Sequence, residues 1–162
     1  MATSTRREKD ACDLLDDDHK KVKKMFKEYE TLTESKAKSA TAKKQQLADQ
    51  ICQELTVHAT IEEEVFYPAV RAAIKDDDLL NEAEVEHASA KDLIAQIEAG
   101  DASDPMFDAK VTVLGEYIDH HVKEERNEMF PKARSARRLD LVALREQLET
   151  RKAELMGEPV EA

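Results

Sequence analysis

The stretch His58-Ala59-Thr60-Ile61-Glu62-Glu63-Glu64-Val65-Phe66-Tyr67-Pro68 returns without a gap as His121-Val122-Lys123-Glu124-Glu125-Arg126-Asn127-Glu128-Met129-Phe130-Pro131. In both copies a Glu follows the His by four positions and a Pro follows it by ten. Positions four apart share one face of an α-helix. Each copy is therefore read as a helix that offers an imidazole and a carboxylate side by side, a spacing that lets two side chains reach one metal ion or one pair of ions.

The flanking residues say which face this is. Ile51, Leu55, His58, Glu62, Val65 and Ala69 step along one stripe at threes and fours, so this His and Glu are expected inside the apolar seam of their helix. Leu114, Tyr117, Ile118, His121 and Glu125 repeat the arrangement. Leu15, His19, Val22 and Phe26 put a His into a third seam, and Ala83, His87, Ala90 and Ile94 put one into a fourth. An unpaired carboxylate costs several kcal/mol to bury in a domain stabilised by only about 5 to 15 kcal/mol. A bound cation compensates for that penalty. The candidate metal ligands are His19, His58, Glu62, His87, His121 and Glu125.

Helical periodicity runs through the rest of the chain, and the breaks are short. Helices are expected over about 10–34, 40–75 with a kink at Pro68, 77–99 with Gly100 as its cap, and 103–133 opening at Ser103-Asp104-Pro105. Rods of this length joined by short turns pack most simply as an all-α, up-down-up-down antiparallel four-helix bundle. The two repeated motifs then lie on parallel helices diagonally opposed across the core. Their carboxylates approach from opposite sides and bridge two ions, with imidazoles in terminal positions. Residues 10–133 form the expected bundle. Residues 134–162 form a charged extension with an additional C-terminal helix, Ala136 to about Met156, carrying Leu139, Val142, Leu148 and Leu155, either laid on the bundle or extended toward a partner.

At 162 residues the chain suits one domain. Three Gly, four Pro and only 4% aromatic residues fit helices and sit badly with a strand-rich fold. A net charge of −11 opposes nucleic acid and anionic membrane surfaces as general partners and favours cations. No apolar run approaches the ~18 residues of a membrane span, and the first residues lack the apolar core of a secretory signal. The protein is therefore expected in the cytoplasm. Cys12 and Cys52, on neighbouring antiparallel helices, are expected ~10 to 20 Å apart at 1.5 Å of rise per residue, too far for a disulfide.

Asp18-His19, the His58 to Glu62 pair before an aromatic-Pro, Glu86-His87, and the His121 to Glu125 pair before Phe130-Pro131 together resemble the hemerythrin-like (HHE cation-binding) family over about residues 10–133. The resemblance implies a four-helix bundle around two non-heme iron ions bridged by two carboxylates, with room for an oxo or hydroxo bridge. It also implies O₂, H₂O₂ or NO as the small ligand, in binding, sensing or redox protection. The alternative is a non-catalytic iron or other cation-binding protein that signals to a partner. One position departs from the oxygen carriers of the family, which place a second His four residues after the helix-three His. Here that residue is Lys91. One ion is thus short of a protein ligand, its place filled by water, by a Glu such as Glu84, by a tyrosine, or not filled. His120, about 100° round the helix from His121, is expected to be exposed or just outside the centre. Tyr67 and Phe130 are expected to pack over one end of the site, and Tyr29 and Tyr117 to pack in the core. Glu63, Glu64, Glu124 and Glu128 are expected on a solvated face, and Asp16 to Asp18 as helix-start charges.

Overall fold

A computed structural model describes residues 8–157; residues 1–7 and 158–162, the latter the end of the extension considered above, lie outside the described residues. The elements are α1 (Ala11–Thr33), α2 (Ala40–Ile61), a π-helical turn (Glu62–Phe66), α3 (Tyr67–Ile74), α4 (Asp77–Glu98), α5 (Pro105–Glu124), a second π-helical turn (Glu125–Met129), α6 (Phe130–Ser135) and α7 (Leu141–Met156). Each π turn joins its two helices into one continuous rod. Rods one to four are therefore α1, α2 to α3, α4, and α5 to α6. They form an antiparallel bundle in which α1 and α4 each pack against both α2 and α5.

Side-chain caps fix where the helices begin. Asp10 and Asp13 exchange hydrogen bonds at the start of α1: the Asp10 carboxylate accepts from Asp13 N–H at 3.0 Å, and the Asp13 carboxylate accepts from Asp10 N–H at 2.9 Å. Asp76, Asp104 and Asp140 cap α4, α5 and α7 in the same sense, each accepting from a backbone N–H of the first turn. The expected cap at Gly100 takes a different form. Gly100 lacks a left-handed backbone, and among the described residues that conformation belongs to Lys75 and Gly157.

The kink expected at Pro68 is instead a π turn lying just before it. Pro68 and Pro131 have no N–H to donate, and their rings crowd the carbonyl four residues back, so the backbone widens ahead of each. Tyr67 N–H reaches Glu62 C=O, and Phe130 N–H reaches Glu125 C=O, both spanning five residues. The extra residue advances the apolar phase. Beyond Glu62 the fully buried residues are Phe66 and Val70, in place of the Val65 and Ala69 that a regular helix would bury.

The core consists of two apolar clusters. One, at the end of the bundle bearing the two prolines, gathers Leu14, Leu15, Ile61, Phe66, Val70, Leu80, Met129 and Phe130 together with Leu141, Leu144 and Leu148 of α7. The other gathers Val22, Tyr29, Ile51, Leu55, Ile94, Phe107, Val111 and Leu114. In sequence, His19, His58, His87 and His121 each fall between members of the two clusters, which defines a polar layer across the middle of the bundle. α7 lies on α1, α2 and the first π turn. Its buried residues are Leu141, Leu144 and Leu148, whereas Val142, expected on the apolar side, is 37% exposed. Among the described residues no helix is long and apolar enough to cross a membrane. Cys12 and Cys52 are free, buried thiols in different clusters.

Candidate metal centre

The polar layer brings all six sequence candidates together. His19, His58, His87 and His121 are 6 to 8% exposed, Glu62 is fully buried and Glu125 is 1% exposed. His19 and His58 form one imidazole pair, Nε2 to Nε2 3.1 Å; His87 and His121 form the other at 3.3 Å. The carboxylates stand between the pairs. Glu62 Oε1 is 3.0 Å from His58 Nε2 on its own rod and 3.4 Å from His87 Nε2 across the core. Glu125 Oε1 is 3.3 Å from His121 Nε2 on its own rod and 3.2 Å from His19 Nε2 across it. One atom each from His19, His58, Glu62 and Glu125 lies within 4.8 Å of the others, and the same holds for Glu62, His87 and His121.

Both Glu62 oxygens and Glu125 Oε1 are buried and accept no hydrogen bond, although ring nitrogens stand within 3.4 Å of Glu62 Oε1 and Glu125 Oε1. Buried carboxylate oxygens without partners are rare and need an explanation. Oxygen and imidazole nitrogen donors gathered around a shared space, with no proton aligned between them, fit a divalent or trivalent cation such as iron.

The far sides of the rings are also held. His58 Nδ1 donates to Asp18 at 3.0 Å, His121 Nδ1 to Glu86 at 3.1 Å and His87 Nδ1 to Glu63 at 3.3 Å. His19 Nδ1 is 3.6 Å from Asp16, beyond hydrogen-bond range. A carboxylate on Nδ1 fixes the tautomer that turns the Nε2 lone pair toward a metal and raises its basicity. Without a cation, the positive charge of protonated imidazoles compensates the carboxylates instead. Burial by itself would lower the His58 imidazole, but Glu62 and then Asp18 raise it to about 10. Burial likewise opposes, and Glu125 and Glu86 override, for His121, raised to about 11. Burial would raise the Glu62 carboxyl, yet the charge of His58 beside it holds it well below its usual range. A cation entering the layer would displace these protons.

Residues 10–133, most of the chain, match the hemerythrin HHE cation-binding domain. The chain belongs to the hemerythrin HHE family. Cation binding, with iron as the metal, is the property that this membership and the His/Glu clusters support. Its relatives include a protein named DNA nickase from Nostoc sp. strain PCC 7120, 34% identical over 123 residues; the match covers 76% of this chain and 33% of that protein, so this chain spans about a third of the relative's length. Among solved structures it is similar to a hemerythrin HHE cation-binding domain-containing protein from Mycobacterium kansasii, with a TM-score of 0.72 at 23% identity, covering 92% of this chain and 88% of the other. That likeness supports the fold.

Within this HHE domain, Tyr67 departs most from the sequence reading. It is more than a packing residue: its hydroxyl lies 3.0 Å from His121 Nε2 and 3.1 Å from His87 Nε2, and donates to Glu125 Oε2 at 3.2 Å. Burial, then the nearby charges of Glu125 and Glu62, push the phenol well above its ordinary range. The signal was the π turn, which rotates position 67 inward and which helical periodicity does not contain. Phe130, the counterpart, does pack, its ring stacked parallel to His19 with centroids 6.2 Å apart.

Asp18, expected as a helix-start charge, and Glu63, expected on a solvated face, back imidazoles of the layer instead, as does Glu86. Asp18 and Glu86 each immediately precede a site His in sequence, yet each supports the imidazole of the next rod. Lys91 ion-pairs with Glu63 at 2.6 Å and so stands behind His87. Glu84 faces solvent and Arg71, away from the layer. His120 is exposed and pairs with Glu124 at 3.0 Å. Tyr29 donates to Asp108 at 2.7 Å within the second apolar cluster, and Tyr117 is 49% exposed rather than buried.

Proposed function

We propose that this HHE domain is a cytoplasmic non-heme di-iron protein that meets O₂, H₂O₂ or NO at a carboxylate-bridged centre, to sense or consume it. The observation that carries this reading is the pair Glu62 and Glu125, each reaching an imidazole on both sides of the layer with oxygens left unsatisfied by hydrogen bonds. His19 and His58 would hold one ion, and His87, His121 and the Tyr67 oxygen the other, with the two carboxylates shared. Two irons, when bound, supply the electrons that such small oxidants and radicals require.

The chain's own groups supply the rest. A cavity of about 40 Å³ adjoins the layer, walled by Val22, Leu55, Ala90, Ile94 and Ile118 as well as by the imidazoles. At roughly 10 to 15 Å³ for one water-sized occupant, it has room for a diatomic molecule or peroxide. Its apolar wall favours O₂ and NO over ions. Without metal the Tyr67 hydroxyl donates its proton to Glu125 Oε2, a proton that would leave on ligation of the phenol oxygen. The name of the Nostoc relative belongs to a protein of which this chain matches a third. A net charge of −11 supports a reading without nucleic acid for this chain.

Anaerobic iron titration tests the proposal, followed by separate exposure to O₂, H₂O₂ and NO. Two irons per chain and a spectrum that cycles or bleaches with one of these ligands support it. Stable iron binding with no response to any of them favours the non-catalytic cation-binding alternative, and fewer than one iron per chain rejects the di-iron reading.

A further inference from the structure

Three imidazoles of the layer are backed by carboxylates within hydrogen-bond reach, and each of those carboxylates is in turn paired with a basic side chain. Glu63 meets Lys91, and Glu86 Oε2 lies 3.7 Å from His120 Nε2. Both of those basic groups come from the bundle. The carboxylate behind His58 is served differently. Lys152, on α7, donates to Asp18 Oδ1 at 2.5 Å, while Asp18 Oδ2 accepts from His58 Nδ1 at 3.0 Å. Residue 152 lies outside the matched residues 10–133, so the family pattern does not assign it a role.

We propose that Lys152 is a positioning residue for the metal centre, acting through Asp18 on His58, so that the docked state of the C-terminal helix sets the donor strength of one imidazole. The inference rests on the reading of the layer as a metal centre.

Its physical basis is burial. Asp18 is 7% exposed and the Lys152 side chain 29%, so their attraction is only partly screened by water. With Lys152 in place, the negative charge of Asp18 is shared between an ammonium and an imidazole N–H. With the ammonium removed, the carboxylate leans fully on the His58 proton, His58 gains imidazolate character, and Nε2 donates more strongly to a metal. Stronger donation favours the more oxidised ion. The geometry is held by Leu141, Leu144 and Leu148, which anchor α7 in the core. Lys152 therefore reaches Asp18 from a docked helix, and lifting that helix would withdraw the charge.

The test uses the full chain, loaded with iron anaerobically, as native protein and as the variants Lys152→Met, Lys152→Arg and Arg151→Met. Iron per chain and the midpoint potential are measured for each, with circular dichroism to verify folding. Lys152→Met is expected to keep the native iron content and shift the potential to more negative values. Lys152→Arg is expected to return it toward native. Arg151→Met, which removes the neighbouring charge on the same helix but pairs only with exposed carboxylates, is expected to leave it in place. A Lys152→Met protein with native iron content and an unchanged or more positive potential overturns the proposal while leaving the metal centre intact. A native chain that takes up no iron overturns the iron centre and this proposal with it. If Lys152→Met does not fold, Lys152→Gln is measured against the same expectations.

Discussion

Glu62 Oε1 stands 3.0 Å from Nε2 of His58, one turn up its own rod, and still accepts no hydrogen bond from it. Two donors this close without an aligned proton are what the proposed metal centre requires of two ligands to one ion. Glu62→Gln replaces a charged donor by a neutral amide and should abolish metal-dependent stabilisation. A ligand bound only by the folded state adds about 2.7 kcal/mol at 100 times its dissociation constant. In a chain of this size that corresponds to roughly 5 to 10 °C in melting temperature. Calorimetry of native and variant protein, with and without iron, should show this gap in the first and its absence in the second. A variant that melts higher than native protein after loading would favour a metal-free adaptor instead.

Tyr67→Phe removes one oxygen and keeps the ring. With a phenolate bound to ferric iron, the oxidised native protein should carry a visible charge-transfer band, and the variant should lose it while retaining its iron. Optical spectra with metal analysis on the same samples check this. A band that persists unchanged in the variant would show that the hydroxyl does not ligate.

Leu148 is fully buried where α7 meets the first apolar cluster. Leu148→Ala should destabilise the chain by about 2 to 5 kcal/mol, the range for a large-to-small change in a packed core. Urea unfolding followed by circular dichroism measures it. A loss below about 1 kcal/mol would mean that α7 is not part of the cooperative core.

Burial, with acidic neighbours adding to it, pushes the Cys12 and Cys52 thiols up to about 12. The reactive thiolate is then about one part in ten thousand at pH 8. Native protein should resist iodoacetamide at that pH, and both cysteines should alkylate in guanidinium, as read by mass spectrometry. Rapid modification of either thiol in folded protein would contradict the packing around it.

The helical rods, their order and the inward His and Glu were legible because the period of 3.6 carries all three. His19, His58, Glu62, His87, His121 and Glu125 each follow an apolar stripe, and the structure buries all six. Periodicity failed where the backbone leaves the α ladder. Beyond Glu62 the buried set shifts by one residue, to Phe66 and Val70, and this same shift carries the Tyr67 hydroxyl among the imidazoles. The supporting carboxylates were hidden for another reason. Asp18 and Glu86 sit next to a site His in sequence but serve a ring on the neighbouring rod, a relation that only packing creates. The docking of α7 was open because its apolar residues are few among many charges, and the buried ones, Leu141, Leu144 and Leu148, follow the threes and fours of a single narrow edge.

The duplicated motif differs at the layer itself: Tyr67 places an oxygen beside His87 and His121, and Phe130 offers only a ring face beside His19. The two imidazole pairs consequently differ in their oxygen surroundings. If the layer takes two ions as proposed, limiting iron should fill the sides in a set order and yield one half-loaded species instead of a mixture of two.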